Sequence, residues 1–239
     1  MQKERVLVTG ASGFIGLNLL DYLLEKDYEV IGLSRQKNLP KIHPHLTWIR
    51  ALEELKHDRI DYVVNFAGES IAQGRWTDAR KQKLITSRVE MTTMLYQYLA
   101  KRKIQPKCII SGSAVGYYGI DSTEQWSECC NEQSAPQSIF MSELCQKWEQ
   151  SARQDTSQNT KIIRLGVVFG RGAGILPQML FPIKMNLCGR IGSGRQPVVW
   201  VHIQDVLRAI EFLMLHETTA KVFNVVSPEK VTQSAFAQT

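Results

Sequence analysis

The sequence predicts an α/β fold built on a doubly wound parallel sheet. Two observations carry that prediction. Short β-branched apolar runs alternate with amphipathic stretches along the chain, as in a parallel sheet covered by helices on both faces. The first such run is followed at once by Gly10, Gly13 and Gly16, in the spacing GxxGxxG, and then by a helical pattern.

The elements follow in order. Residues 5–9 (RVLVT) form a buried strand. Residues 14–26 carry Ile15, Leu19, Leu20, Leu23 and Leu24 at helical spacing, and residues 28–33 form the second strand. Strand, helix and strand within about 30 residues make a βαβ unit. Residues 46–49 are a weaker strand, 62–66 a stronger one, and 78–101 a long helix. A strand begins at 108–110 and ends in Ser111, Gly112 and Ser113. Residues 138–154 read as a helix and 161–165 as a strand. Residues 175–187 read as a helix interrupted early by Pro177 and Pro182. The stretch 198–201 is extended, 204–216 helical, 222–226 the last strand, and 231–239 a helix just begun. The polar stretches 121–137 and 189–197 are surface loops.

At 239 residues, 44% hydrophobic and 22% charged, the chain suits one large domain, or one domain with a small appendage. The net charge of +6 is spread along the sequence, and the groups Arg80, Lys81, Lys83 and Lys101, Arg102, Lys103 read as solvated helix faces. No nucleic-acid partner is expected, because that needs clustering on one face. The alternative reading of the same groups is a modest attraction for anionic phosphates. Cys108, Cys129, Cys130, Cys145 and Cys188 match no zinc spacing, so no metal is expected and a reducing compartment is. No signal-peptide pattern and no apolar run of roughly 18 residues occurs, which points to a cytoplasmic protein without a membrane partner.

The glycine turn carries the functional expectation. Such a turn lets the backbone approach a pyrophosphate, and the next helix points its N-terminal amides at the phosphates. Gly10, Ser12, Gly13, Phe14, Ile15 and Gly16 are therefore candidate cofactor residues. An NAD site calls for a carboxylate about 20 positions on, at the end of the second strand. Here stand Leu33, Ser34, Arg35 and Gln36. Ser34 and Arg35 join the candidates, with the Arg35 fork suited to a 2′-phosphate. The expected cofactor is NADP(H), with NAD(H) second. The rule that ligands lie outside the carboxyl ends of strands adds Phe66, Ala67, Gly68, Ser111, Gly166 and Val167.

The run Val8, Thr9, Gly10, Ala11, Ser12, Gly13, Phe14, Ile15, Gly16 resembles the opening of extended short-chain dehydrogenases/reductases, the NAD-dependent epimerase/dehydratase family. Three more segments, 65–71 (NFAGESI) with Arg75 and Trp76, 113–119 (SAVGYYG) and 164–170 (RLGVVFG), resemble its atypical subgroup of sugar-nucleotide-epimerase-like proteins. The resemblance implies a Rossmann-type core over residues 1–170 that binds NADP(H) along the strand ends. Residues 171–239 would supply a small substrate lobe interleaved with late strands. Subgroup members continue past the segment resembling 223–228, so with the sequence ending at Thr239 the expectation is either a truncated chain or an incomplete lobe.

The implied activity is oxidoreductase or epimerase chemistry on a hydroxyl or carbonyl of a small molecule, a sugar nucleotide among the options. The family's proton carriers are a Ser and a YxxxK pair, whose Lys lowers the Tyr pKa. Ser113 stands at the Ser position, whereas the helix puts Met141 at the Tyr position and Cys145 at the Lys position. Tyr117 and Tyr118 are the nearest phenols in sequence, and Tyr117 is taken with Ser113 as the catalytic pair. Trp76 is placed to cover the nicotinamide or the substrate. His202 and Asp205 read mainly as fixing a helix start, Glu69 and Glu143 as proton carriers by location only. Without YxxxK, a non-catalytic NADP(H)-binding sensor or scaffold is the alternative. The helices at 78–101 and 138–154 resemble those that pair in family dimers, so the chain is a monomer or a homodimer.

Overall fold

The computed structural model describes residues 3–39, 41–56, 59–122, 124, 129–171, 174 and 192–238. The first half runs β1 (Arg5–Thr9), α1 (Phe14–Glu25), β2 (Glu29–Leu33), β3 (Leu46–Ile49), β4 (Tyr62–Asn65), α2 (Asp78–Arg102) and β5 (Cys108–Ala114). The second half runs α3 (Phe140–Ala152), β6 (Thr160–Leu165), β7 (Val167–Phe169), β8 (Trp200–His202), α4 (Ile203–Leu215), β9 (Val222–Val225) and α5 (Gln233–Gln238). The helix expected at 175–187 lies outside the described residues.

Seven strands form one sheet in the order β3-β2-β1-β4-β5-β6-β9, with every described pairing parallel. The chain winds outward from β1 to β3, returns, and winds the other way from β4. The reversal leaves a crevice outside the carboxyl ends of β1 and β4, where ligands of open α/β sheets sit. Alternation along β1 divides the core. Val6 and Val8 pack with Leu19, Leu20 and Leu23 of α1 and Val206, Leu207 and Ile210 of α4. Leu7 faces the other way, towards Leu95 and Leu99 of α2. Both faces are thus covered, so the central strands are apolar throughout.

Three differences from the sequence expectation have physical causes. The strand from 108 runs one residue past its expected end at Ser113, to Ala114, because it stays paired with β6 through Leu165. The helix expected over 138–154 is shorter, with Ile139 in extended backbone (φ −131°, ψ 158°) as its N-cap. A second, two-stranded parallel sheet of β7 and β8 was not expected. Gly166 separates β7 from β6, and a Cβ there would lie 2.9 Å from the Val199 carbonyl oxygen. Only glycine lets the chain leave the main sheet at that point and pair with β8.

Candidate functional site

The turn between β1 and α1 is shaped by its own backbone. Gly10 has φ +66°, and a Cβ on it would stand 2.5 Å from the Phe66 carbonyl oxygen of the β4 end. A Cβ on Gly16 would drive into the Gly10 carbonyl, so the start of α1 rests directly on the turn. Gly13 differs. A Cβ there would meet only the Gly10 carbonyl oxygen, at 3.2 Å, so its outer side is open. Gly13 is also the N-cap of α1, with no side-chain cap and no acidic residue in the first turn. By contrast Thr77 caps α2 by accepting from the Arg80 amide, and Asp78 lies in that helix's first turn. The first turn of α1 therefore keeps N–H groups and a positive dipole end for an external anion.

The neighbouring strand ends are tied to this turn. The Ser34 hydroxyl donates to Ser12 Oγ (2.7 Å) and accepts from the Gln36 amide (3.2 Å), joining the end of β2 to the turn. Thr9 Oγ1 donates to Asn65 Oδ1 (2.6 Å) and accepts from the Ala67 amide (3.3 Å), joining β1 to β4. Asn65 Nδ2 donates in turn to Thr92 (2.9 Å) and Ser111 (3.4 Å). Ser111 is fully buried in β5, where it accepts from Asn65. Gly166 and Val167 sit at the end of β6, and the Val167 amide donates to Val199 (2.8 Å).

Cations gather on the α2 side. Arg35 is exposed, with Nη2 3.9 Å from Glu69 Oε1. Glu69 also meets Arg80 (3.2 Å) and Lys83 (3.4 Å). Hydrogen bonding to Arg80, helped by the charge of Lys83, outweighs desolvation and holds the Glu69 carboxyl below its usual range. Behind Gly68 lies Arg88, whose Cζ would be 3.0 Å from a Cβ at that glycine. Arg88 is 6% exposed. It donates to the Leu84 and Glu69 carbonyls (3.1 and 2.9 Å) and stacks on Trp148 (5.2 Å). Its Nε has no hydrogen-bond partner and, among the described residues, it has no carboxylate partner. Burial accordingly pulls its pKa down to about 10. Arg88 was missed in the sequence, although it falls in the buried stripe of Leu84, Thr92, Leu95 and Leu99. A charge within an apolar stripe is the signal that would have found it.

The reacting end expected at Ser113 is a closed polar layer. Ser113 Oγ donates to Glu149 Oε1 (2.7 Å). Glu149 also accepts from Arg164 through both oxygens (2.7 and 2.9 Å) and from Arg153 (2.9 Å). Arg164 lies flat on Tyr117, 3.4 Å from its ring centroid, and donates to the Tyr118 hydroxyl (2.9 Å), which donates to Asn224 (2.7 Å). Burial alone would lower the Arg164 pKa, but its bonds to Glu149 and Tyr118 outweigh that and raise it. Ser113, Glu149 and Arg164 are all buried. Tyr117 and Ser113 thus share one layer, with Tyr117 packed as the floor beneath a guanidinium. Glu149 and Asn224 carry no local motif and were not found from the sequence.

The other candidates fall into place. Cys145 is buried, and burial pushes its thiol up to about 11. Met141 packs by Gly116, so neither residue supplies an acid or base. His202 caps α4 by accepting from the Gln204 amide (3.3 Å), and exposed Asp205 pairs with Arg208 (3.5 Å). Trp76 is 43% exposed and meets Phe140 edge-on at 5.5 Å. Glu143 is exposed on α3.

A doubly wound sheet with this glycine turn at its switch point defines a Rossmann-type protein with an NAD(P)-binding, epimerase-like architecture. The chain belongs to the NAD dependent epimerase/dehydratase family, whose model matches residues 6–226. An epimerase family protein of Staphylococcus saprophyticus is 34% identical, over 99% of this chain and 79% of its own length. A crystal structure of a human epimerase family protein with NADPH has a TM-score of 0.85 and 33% identity, over 98% of this chain and 78% of that one. A nucleoside-diphosphate sugar epimerase from Corynebacterium glutamicum has a TM-score of 0.78 and 25% identity, over 99% of this chain and 49% of that one. Among the described residues no helix is long and apolar enough to cross a membrane.

Proposed function

We propose that the chain is an NADP(H)-dependent oxidoreductase or epimerase acting on a hydroxyl or carbonyl of a small molecule, a nucleotide-linked sugar among the candidates. The observation that carries this reading is a set of cations with too few carboxylates, grouped beside a turn with open amides. The turn residues Gly10, Ser12, Gly13, Phe14, Ile15 and Gly16 would hold the pyrophosphate, with Phe66, Ala67 and Gly68 against the adenosine side. Arg35 and Ser34 would take the 2′-phosphate, where an NAD site needs a carboxylate. Arg88, buried behind Gly68, would add a positive charge to the dianionic pyrophosphate and recover part of its own desolvation cost. The cofactor, when bound, supplies or accepts the hydride, and the protein supplies position.

At the far end, Ser113 and Tyr117 are the proposed groups facing substrate, with Ser111, Gly166 and Val167 on the cofactor side. Glu149 is an acceptor to two arginines, so the Ser113 proton is committed to it. Ser113 Oγ is then an acceptor only, and would meet the hydroxyl that an alcohol substrate brings or that a carbonyl substrate becomes on reduction. The Tyr117 phenol is the proposed proton carrier.

A second reading is favoured by Met141 and Cys145 at the family's Tyr and Lys positions. In that reading the chain holds NADP(H) without turnover, as a sensor or scaffold. Stopped-flow absorbance of the NADPH-loaded chain, mixed with carbonyl compounds and sugar nucleotides, separates the two. The enzyme reading expects oxidation that falls about 10²- to 10⁴-fold in Tyr117→Phe. Tight binding without oxidation across the panel supports the sensor.

A further inference from the structure

We propose that Lys83 is the second cation of the 2′-phosphate site, and that Lys83 and Arg35 together set a preference for NADP(H). The inference rests on the reading of Arg35 given above and extends it to a residue on a different element.

Arg35 at the end of β2 and Lys83 on α2 approach the same oxygen of Glu69, Oε1, at 3.9 and 3.4 Å. The two cations therefore already lie close enough to share one anion. Arg80 takes the other oxygen, Oε2, and also donates to the Ser70 carbonyl (2.5 Å). Three cations on one carboxylate leave a net charge of +2, at the edge of the crevice beside the glycine turn. A phosphate monoester carries about −1.5 to −2 at neutral pH and has three strong acceptor oxygens. That matches the excess in charge, and its oxygens match the excess of donors.

The three cations are not equally free. Arg80 is mostly buried and committed to Glu69 and the 68–70 loop, whereas the side chains of Arg35 and Lys83 are 76% and 62% exposed. The loop is held to α2 independently, by the Glu69 amide donating to Ser87 (3.1 Å) and by Arg88. Glu69 stays on Arg80 while Arg35 and Lys83 turn to the incoming phosphate. In the absence of the phosphate, Glu69 keeps the cations gathered and limits their mutual repulsion.

The full chain is titrated with NADPH, NADH and 2′-AMP, reading dissociation constants. Lys83→Glu is expected to weaken NADPH and 2′-AMP roughly 5- to 20-fold and NADH less than about twofold. Lys83→Arg is expected to keep the preference. Since Lys83 is exposed, these variants fold as the parent does. Equal losses for NADPH and NADH, or no loss for either, overturn the assignment. Arg35→Glu, run in parallel, separates the two failures. If it collapses the NADPH/NADH ratio and Lys83→Glu does not, Lys83 alone is misassigned. If it too leaves the ratio unchanged, the reading of Arg35 itself fails.

Discussion

The two ends of the crevice are built from the same kinds of group and left in opposite states. At the ends of β1, β2 and β4 the helix amides are uncapped, Arg88 has an idle Nε, and Arg35, Arg80 and Lys83 share one carboxylate. At the ends of β5, β6 and β9 a buried carboxylate meets two arginines, and each polar group from Ser113 to Asn224 has a partner. Open valence costs stability and is retained where a ligand completes it. A satisfied network holds its members in one arrangement. The contrast teaches that the ends of β1, β2 and β4 are left open to a ligand, whereas the ends of β5, β6 and β9 are fixed by their own partners before one arrives.

The strongest way to break the comparison is at Glu149. Glu149→Leu strands Arg164 in the core without its counter-ion, and unfolding in urea should show a loss of about 3–5 kcal/mol. A loss under about 1 kcal/mol would mean that the layer is not closed. The glycines come next. Gly10→Ala should cost about 1–3 kcal/mol, from its positive φ and the clash with Phe66, whereas Gly13→Ala should cost less than about 1 kcal/mol while still weakening NADPH. Equal costs would remove the distinction between a glycine the chain needs and one the ligand needs.

Arg88→Met sharpens the comparison in the other direction. It removes a desolvated charge and its idle donor, so stability should change by less than about 1 kcal/mol while NADPH affinity falls roughly tenfold. A destabilised protein with unchanged affinity would make Arg88 a purely structural residue. The smallest effect concerns thiols. At pH 7.5 iodoacetamide should label exposed Cys129 and Cys130 and leave Cys145 unmodified until the protein unfolds, because burial both shields the Cys145 thiol and holds its pKa near 11. Mass spectrometry reads the sites.

The same contrast explains what was legible in the sequence. The open end is made by backbone geometry within one βαβ unit, so Gly10 to Gly16 and Arg35 declare it over a short span. The alternation of apolar runs likewise reveals the sheet. The closed end joins Ser113, Glu149, Arg164 and Asn224, which come together only once β5, α3, β6 and β9 are packed. No spacing rule connects them. Arg164 and Lys161 interrupt the fully buried strand TKIIRL, and such charges within a buried strand announce a partner without naming it. For Lys161 the partners prove to be the Leu213 and His216 carbonyls at the end of α4 (2.6 and 2.7 Å). The β7–β8 pair was missed because a three-residue strand after a glycine leaves no periodicity to read.

Amide hydrogen exchange of the chain with and without NADPH tests the central claim most directly. Exchange should slow at residues 11–17, 34–36 and 66–70, with residues 149–152 and 161–165 unchanged at every time point. Protection confined to the β5, β6 and β9 ends, with the glycine turn unaffected, would contradict it.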